Sequence, residues 1–238
     1  MIRVAAVGDI HYSVNSKGRL REHFESLKGK ADLLLIAGDL TQHGTEEEVR
    51  VLLSDLVGLP VPVICVLGNH DFHSNQQALM RDALEQKGIR VLEGDTAEVR
   101  VGDVTVGVAG VKGFGGGFPG ARISDFGEPE MKAFACHSKL QAEKLRDALG
   151  KLKTDYRIAL LHFAPIEGTL FGEKRELYPV LGCGLLGEAL DRIGCDVAFH
   201  GHAHHGVEKG HTLGGIPVRN VAQLVIRRAY QIYEVHRR

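Results

Sequence analysis

The chain has 238 residues, 44% of them hydrophobic and 25% charged, with a formal net charge of -1. That is too much apolar content for a disordered chain, and the length suffices for one large α/β domain or two small ones. There is no global basic excess to draw nucleic acid or an anionic membrane surface, and no apolar stretch approaches the ~20 residues of a membrane-spanning helix.

Residues 2–7 form an apolar, largely β-branched run that stops at Gly8-Asp9, which predicts a first strand. A helix is expected over 17–30. Residues 33–37 are a second apolar run, ending in Gly38-Asp39; the charged, periodic segment 45–57 reads as the next helix, with Thr45 and Glu48 spaced as a capping box. Residues 61–67 predict a third strand, ending in Gly68-Asn69, and 75–86 a third helix. Continuous apolar strands alternating with helices predict a parallel sheet covered on both faces and joined by right-handed crossovers.

After residue 88 the texture changes, and short runs at 90–92, 97–101 and 104–109 read as antiparallel, the start of a second sheet. A glycine-rich connection follows at 111–135, then a helix over 138–152 and a strand over 157–161 that ends at His162. A second long connection spans 164–182, followed by a helix to Ile193, a strand at 196–199 and strand-like runs at 216–221 and 229–235. With no repeat or linker in view, a single domain over 1–238 is expected. Cys65, Cys136, Cys183 and Cys195 are scattered without a Cys-x-x-Cys pair, and the strand starting at residue 2 runs straight into Asp9, leaving no room for a cleaved leader; a cytoplasmic protein with reduced thiols is expected.

Five short motifs fall at the predicted strand ends: Asp9-Ile10-His11, Gly38-Asp39, Gly68-Asn69-His70-Asp71, His162 and Gly201-His202-Ala203-His204. In open α/β sheets that edge is where ligands bind, so motifs distant in sequence should converge there. Asp9, His11, Asp39, Asn69, His162, His202 and His204 mix imidazole with carboxylate and amide oxygen, which suits Zn²⁺, Mn²⁺ or Fe²⁺ and excludes an all-thiolate zinc site. Asp9 and His11 lie two positions apart, so an extended backbone would point both the same way; Asp39 can bridge two ions, and Gly201 would allow a tight turn presenting His202 and His204.

Two divalent ions balanced by Asp9, Asp39 and one bridging hydroxide leave a centre of about +1, which attracts an anionic substrate and suits in-line displacement at phosphorus with the hydroxide as nucleophile. His70 is expected to face the substrate, as a phosphoryl binder or as proton donor to the leaving group, with Asp71 orienting its imidazole.

The ordered set Asp-x-His, Gly-Asp, Gly-Asn-His-Asp, His and Gly-His-x-His resembles the calcineurin-like metallophosphoesterase superfamily over residues 8–204. The resemblance implies an α/β fold, a four-layer αββα sandwich of two mixed β-sheets flanked by helices. It also implies two divalent or trivalent ions (Mn, Fe or Zn), one on Asp9, His11, Asp39 and His204, the other on Asp39, Asn69, His162 and His202, with His70 beside the substrate. Leu40-Thr41-Gln42 follows Gly-Asp where many members carry another acidic residue, which leaves the subfamily open. The expected activity is hydrolysis of a small phosphate ester, a diester by a narrow margin over a monoester. A nuclease of the same superfamily is less favoured, and a metal-loaded binding scaffold without turnover is the alternative from another class.

Gly182-Cys183-Gly184-Leu185-Leu186-Gly187 matches a dinucleotide fingerprint, but no strand precedes it and it reads as a helix entry. His73, His200 and His205 read as supporting or solvent-facing, with His200 buried in a strand, and His137 as a helix-entry residue. The two long connections carry Phe114, Phe118, Phe126, Phe134, Phe163 and Phe171, which could wall a cleft around the organic part of a substrate or, equally, form a small core of their own. Lys112, Arg122, Lys174 and Arg175 could bind phosphate there, though solvated loop charge is the commoner outcome.

Overall fold

The computed structural model describes residues 1–238. The first sheet has the order β11-β1-β2-β3-β4, in which β1 (Ile2–Val7), β2 (Leu33–Ala37), β3 (Val63–Val66) and β4 (Arg90–Leu92) run parallel and β11 (Gln231–Val235) closes one edge antiparallel. The second has the order β5-β6-β7-β8-β10-β9. There β5 (Asp95–Val101) and β6 (Val104–Val111) form an antiparallel hairpin; β6, β7 (Tyr156–Leu161), β8 (Val197–His200) and β10 (Pro217–Asn220) are parallel, with β9 (Lys209–His211) antiparallel at the far edge.

The alternation of strand side chains divides the apolar residues among three layers of core. Along β1, Ile2, Val4 and Ala6 pack between the sheets with Leu33, Leu35, Val108, Ile158 and Phe199, while Ala5 and Val7 face outward. The outer face of the first sheet is covered by α1 (Arg21–Glu25), α2 (Glu46–Leu56) and α3 (Gln77–Glu85), through Phe24, Leu52 and Leu84. The outer face of the second carries α4 (Pro129–Lys151) and α6 (Gly184–Ile193), through Leu145, Leu149, Leu186 and Leu190. These four layers are the expected αββα sandwich, and the central strands of both sheets are buried on both faces, which is why they read as largely apolar runs. No helix is long and apolar enough to cross a membrane.

Several boundaries differ from the expectation. Residues 90–92 belong to the first sheet, where Ile64 pairs with Arg90 and Val66 with Leu92 in parallel; three residues are too few for periodicity to reveal their partner. Helix α4 starts at Pro129, with proline in its first turn, so the preceding connection is shorter than expected. Its first turns lie over little core, Ala135 being the first buried residue, so hydrophobic spacing does not announce them. The helix expected over 17–30 contracts to α1, and the short elements β9, α5 (Tyr178–Leu181) and α7 (Gln223–Ile226) carry too little pattern to read. The capping box is present: the Thr45 side chain accepts the Glu48 N–H and the Glu48 carboxylate accepts the Thr45 N–H, both at 3.3 Å.

Asp55, 1% exposed near the end of α2, holds the loop that follows the first motif. It accepts hydrogen bonds from the Tyr12 hydroxyl (2.6 Å), Gly18 N–H (2.9 Å), Leu20 N–H (3.1 Å) and the Ser54 hydroxyl (3.2 Å). Burial pushes its carboxyl up, but these donors outweigh it and hold the group below the usual carboxylate range. The Asp55→Ala variant strands the Tyr12 hydroxyl and two backbone N–H groups and should lose about 2–4 kcal/mol of stability in urea unfolding at pH 7. Because the folded-state carboxyl is depressed, the contribution is present above the unfolded value of ~3.9 and disappears as pH falls through the folded one, so wild type and variant should converge in acid. A gap that stays constant to pH 2 would contradict this account.

Candidate metal centre

The ends of β1, β2, β3, β7 and β8 meet at one rim and deliver all seven predicted ligands to it. Asp9 and His11 follow β1, Asp39 follows β2, Asn69 follows β3, His162 follows β7 and His202 and His204 follow β8. One oxygen of Asp9 and ring nitrogens of His11 and His204 lie within 4.8 Å of one another, as do the corresponding atoms of Asp39, His162 and His202. The two groups adjoin, since His11 Nε2 is 3.8 Å and His162 Nε2 3.4 Å from the Asp39 carboxylate. His70 is drawn in as well, its Nε2 4.0 Å from Asp39.

The backbone achieves this by bending out of the strand conformation. Asp9 (φ 57°), His11 (φ 41°), Asp39 (φ 48°) and His202 (φ 68°) all adopt left-handed conformations, four of the six non-glycine residues in the chain that do. Such conformations are costly for L-residues and persist where the surroundings over-determine them. Asp9 and His11 therefore point together through successive left-handed turns, and not through the alternation of an extended strand as expected. What holds these turns is a continuation of the β1–β2 pairing beyond both strands, through Asp9 N–H to the Gly38 carbonyl (2.9 Å), His11 N–H to the Asp39 carbonyl (3.0 Å) and Tyr12 N–H to the Leu40 carbonyl (2.9 Å).

Three motif glycines each make room for a ligand from a different motif. A Cβ on Gly38 would lie 2.5 Å from His162 Nδ1, one on Gly68 would collide with the Asp39 carboxylate, and one on Gly201 with that of Asp9. Gly201 is thus required by close approach to Asp9, whose two oxygens both accept the His202 N–H at 3.0 Å, and its φ lies outside the left-handed region. The expectation of a turn-forming glycine is corrected accordingly. Gly38 carries the added demand of φ 81°.

Asp71 does not orient His70. Its carboxylate is fully buried and accepts from Leu40 N–H (3.1 Å), Thr41 N–H (2.9 Å), the Thr41 hydroxyl (2.7 Å) and Gly68 N–H (2.8 Å), which pins the loops carrying Asp39 and Asn69 to each other. Burial and the nearby Asp39 charge push it up to about 7 against the pull of those donors. His70 is instead oriented by the Gln42 carbonyl, 2.8 Å from Nδ1, which turns Nε2 into the cleft. Thr41, and Asn220, which clasps the Ala203 carbonyl and the Ala222 N–H, went unread in the sequence; the available signal was a polar residue inside an apolar strand or strand end, both being 0% exposed. His200 is buried in β8 as expected, bonded to Thr169 and to the Gly201 carbonyl; His73 and His205 are exposed.

The electrostatics describe a site short of positive charge. Asp9 and Asp39 are 4% and 1% exposed, and no lysine or arginine pairs with either; their only ionic partners are imidazoles. Burial first, then the Asp9 charge, pushes Asp39 up to about 7; burial also raises Asp9, but the His204 hydrogen bond and surrounding imidazoles hold it below the usual range. Burial drives His11 and His162 down to about 4 and His202 to about 3, while the bond to Asp9 lifts His204. His162 is accordingly neutral, and its Nδ1–H donates to the Ala37 carbonyl at 2.9 Å. Its Nε2 lone pair then faces the Asn69 Oδ1 at 2.9 Å and the Asp39 carboxylate at 3.4 Å, acceptor against acceptor. A cation between them removes that repulsion, and His11 Nδ1 is in addition buried without a partner. The donor set fits metal ions of the borderline type.

A two-sheet α/β sandwich with carboxylates and imidazoles converging at its strand ends belongs to the class of metal-dependent hydrolases. Residues 2–206 match the calcineurin-like phosphoesterase family, and the chain belongs to it. It is a metal-dependent phosphoesterase. Among curated proteins it is 26% identical over 210 residues to the "Probable glycerophosphodiester phosphodiesterase GpdQ" of Arcobacter nitrofigilis, covering 71% of this chain and 74% of that one. The fold is shared with the phosphopantetheinyl hydrolase PptH of Mycobacterium tuberculosis (TM-score 0.69, 15% identity, 97% and 95% of the two chains). It is also shared with GAP50, the anchor in the inner membrane complex of Plasmodium (TM-score 0.56, 12% identity, 93% and 71%).

Because Gly201 seats Asp9, the Gly201→Ala variant should keep its far-ultraviolet circular dichroism yet bind Mn²⁺ about 10- to 100-fold more weakly in calorimetric titration, the usual cost of disturbing the support of a ligand. Unaltered affinity would show that Asp9 has no need of its present seat.

Proposed function

We propose that the protein hydrolyses phosphodiesters with two metal ions, one held by Asp9, His11, Asp39 and His204 and the other by Asp39, Asn69, His162 and His202, with Asp39 shared. The observation that carries this reading is the His162 lone pair turned on the oxygens of Asn69 and Asp39 in a site with no lysine or arginine to neutralise it. The convergence of the other ligand atoms on the far side of Asp39 supports a second ion. Ions bound there supply Lewis acidity toward phosphoryl oxygens and lower the pKa of a coordinated water toward ~7.

The protein's own groups shape the rest of the reaction. His162 is held in one tautomer by the Ala37 carbonyl and His202 by the Val180 carbonyl, 3.2 Å from Nε2, so each offers its other nitrogen. His70, anchored through Nδ1, presents Nε2 to the cleft, where it binds a phosphoryl oxygen or passes a proton to the departing alkoxide. The preference for diesters draws on the GpdQ relative, a phosphodiesterase by its printed name.

Chelation with EDTA should abolish hydrolysis of bis(4-nitrophenyl) phosphate, Mn²⁺ should restore it, and the restored protein should hold two ions per chain by elemental analysis; full activity at one ion would exclude the shared-carboxylate arrangement. For His70→Ala, turnover of an ethyl ester should fall about 10²- to 10⁴-fold, while that of a 4-nitrophenyl ester, whose leaving group needs no proton, falls far less. Equal losses on the two would count against proton donation.

A further inference from the structure

A cavity of about 610 Å³ opens beside Asn69, on the side of the rim away from His204. It is within the ordinary size range of small-molecule pockets. Its walls come from elements outside the ligand motifs: Phe72 from the turn after Asn69, Phe114 from the connection after β6, Phe163 from the residue after His162, and His137 from α4. Phe163 also packs on His202, with ring centroids 4.4 Å apart, so the cavity wall and the candidate metal centre are one packed unit. Of the aromatic residues in the two long connections, Phe114 and Phe163 line this space, Phe118 packs with Tyr178 and Leu181 into a small core of its own, and Phe126 and Phe171 are exposed.

Three cations reach the cavity, and two of them have carboxylate partners. Arg81 pairs with Asp95 at 3.0 Å and Glu85 at 3.2 Å, and Lys144 lies 3.5 Å from Glu93. Lys112 has none. It is 7% exposed, its backbone carbonyl accepts the N–H groups of both His162 and Phe163 at 3.0 Å, and its ammonium makes a single hydrogen bond, to the Gly113 carbonyl at 3.2 Å. Beyond that bond the ammonium faces the rings of Phe72, Phe114 and Phe163, 5.0 to 5.1 Å from it, and the carboxylates of Glu93 and Asp39 act on it only from beyond ion-pair distance. Aromatic faces offset part of the cost of burying a cation, but they leave two of its three donors unused. A buried charge so placed is completed by an anion entering the cavity.

Building on the phosphodiesterase reading above, we infer that this cavity receives the alcohol half of the substrate and that Lys112 recognises a second anionic group carried on it. The preferred substrate class is then a phosphodiester with an additional carboxylate or phosphate beyond the scissile ester. Contact with Phe72 and Phe114, the two rings of the cavity that are only half-buried, holds an aryl or other flat portion between the two charges.

The test uses the Mn²⁺-loaded full chain and two mixed diesters of 4-nitrophenol, one with 4-(hydroxymethyl)benzoate and the other with its neutral counterpart 4-methylbenzyl alcohol. Wild-type kcat/KM should favour the carboxylate ester by roughly 10- to 100-fold, the range expected for a hydrogen bond to a charged group. In Lys112→Met that ratio should fall to near one, whereas Arg81→Gln and Lys144→Gln should retain it, which assigns the preference even if the first variant folds poorly. A wild-type ratio near one overturns the inference while leaving phosphodiester hydrolysis intact. So does a preference that survives Lys112→Met, or one that is lost in Arg81→Gln or Lys144→Gln. Failure to hydrolyse either ester or bis(4-nitrophenyl) phosphate overturns the phosphodiesterase reading and this inference together.

Discussion

The carboxylates of Asp9 and Asp39 lie buried between the ends of two sheets with no lysine or arginine within ion-pair distance, and the surrounding structure is organised around that fact. Two such charges in a dry site would ordinarily be among the most destabilising features a fold could hold. Here they are met by backbone N–H groups, from His202 to Asp9 and from His70 to Asp39, and by a ring of imidazoles that burial keeps neutral. Hydrogen bonds position the oxygens but do not neutralise them. The deficit of positive charge is what makes the site receptive to metal ions, and the same ions would reverse the upward displacement of Asp39 by supplying the charge it lacks.

Holding these groups together requires the strand ends to interlock. Each of Gly38, Gly68 and Gly201 gives up its side chain so that a ligand from another strand can occupy the space, and Asp71 ties the second and third loops through four hydrogen bonds. The left-handed conformations of Asp9, His11 and Asp39 persist because the β1–β2 pairing continues past the strands, and that of His202 is held by its N–H bond to the Asp9 carboxylate. The polar rim and the aromatic cavity then divide the work. One side gathers the candidate ligand atoms, and the other is walled by Phe72, Phe114 and Phe163 around the ammonium of Lys112.

The parallel strands were legible because dry strands leave a simple trace: short, largely apolar runs, of which those at 2–7, 33–37 and 61–67 are each followed by a glycine and a polar residue. The ligand motifs were legible because they sit where those runs end. Less visible was anything whose partner lies far along the chain. Asp71 looked like a companion for its neighbour His70, yet its carboxylate reaches back to Leu40 and Thr41, and the carbonyl that orients His70 belongs to Gln42, whose backbone has no signature. Helix α4 hid its first turns because they cover little core, and β4 was assigned to the wrong sheet because three residues do not record which neighbour they join.

By itself the sequence determined a parallel first sheet with a second sheet after it, the seven candidate ligands and the chemistry they suit, because periodicity and donor type are local properties that survive without coordinates; the four-layer arrangement came from the family resemblance. Only the tertiary structure decided how those ligands are aimed, why the glycines beside them are needed, and which of several loop cations is buried without an ion-pair partner. Lys112, Arg122, Lys174 and Arg175 are equivalent as letters, but Arg122 pairs with Glu188 while Lys112 is enclosed by three rings from separate segments. Pairing and burial are properties of residues brought together by folding, and no single segment carries them.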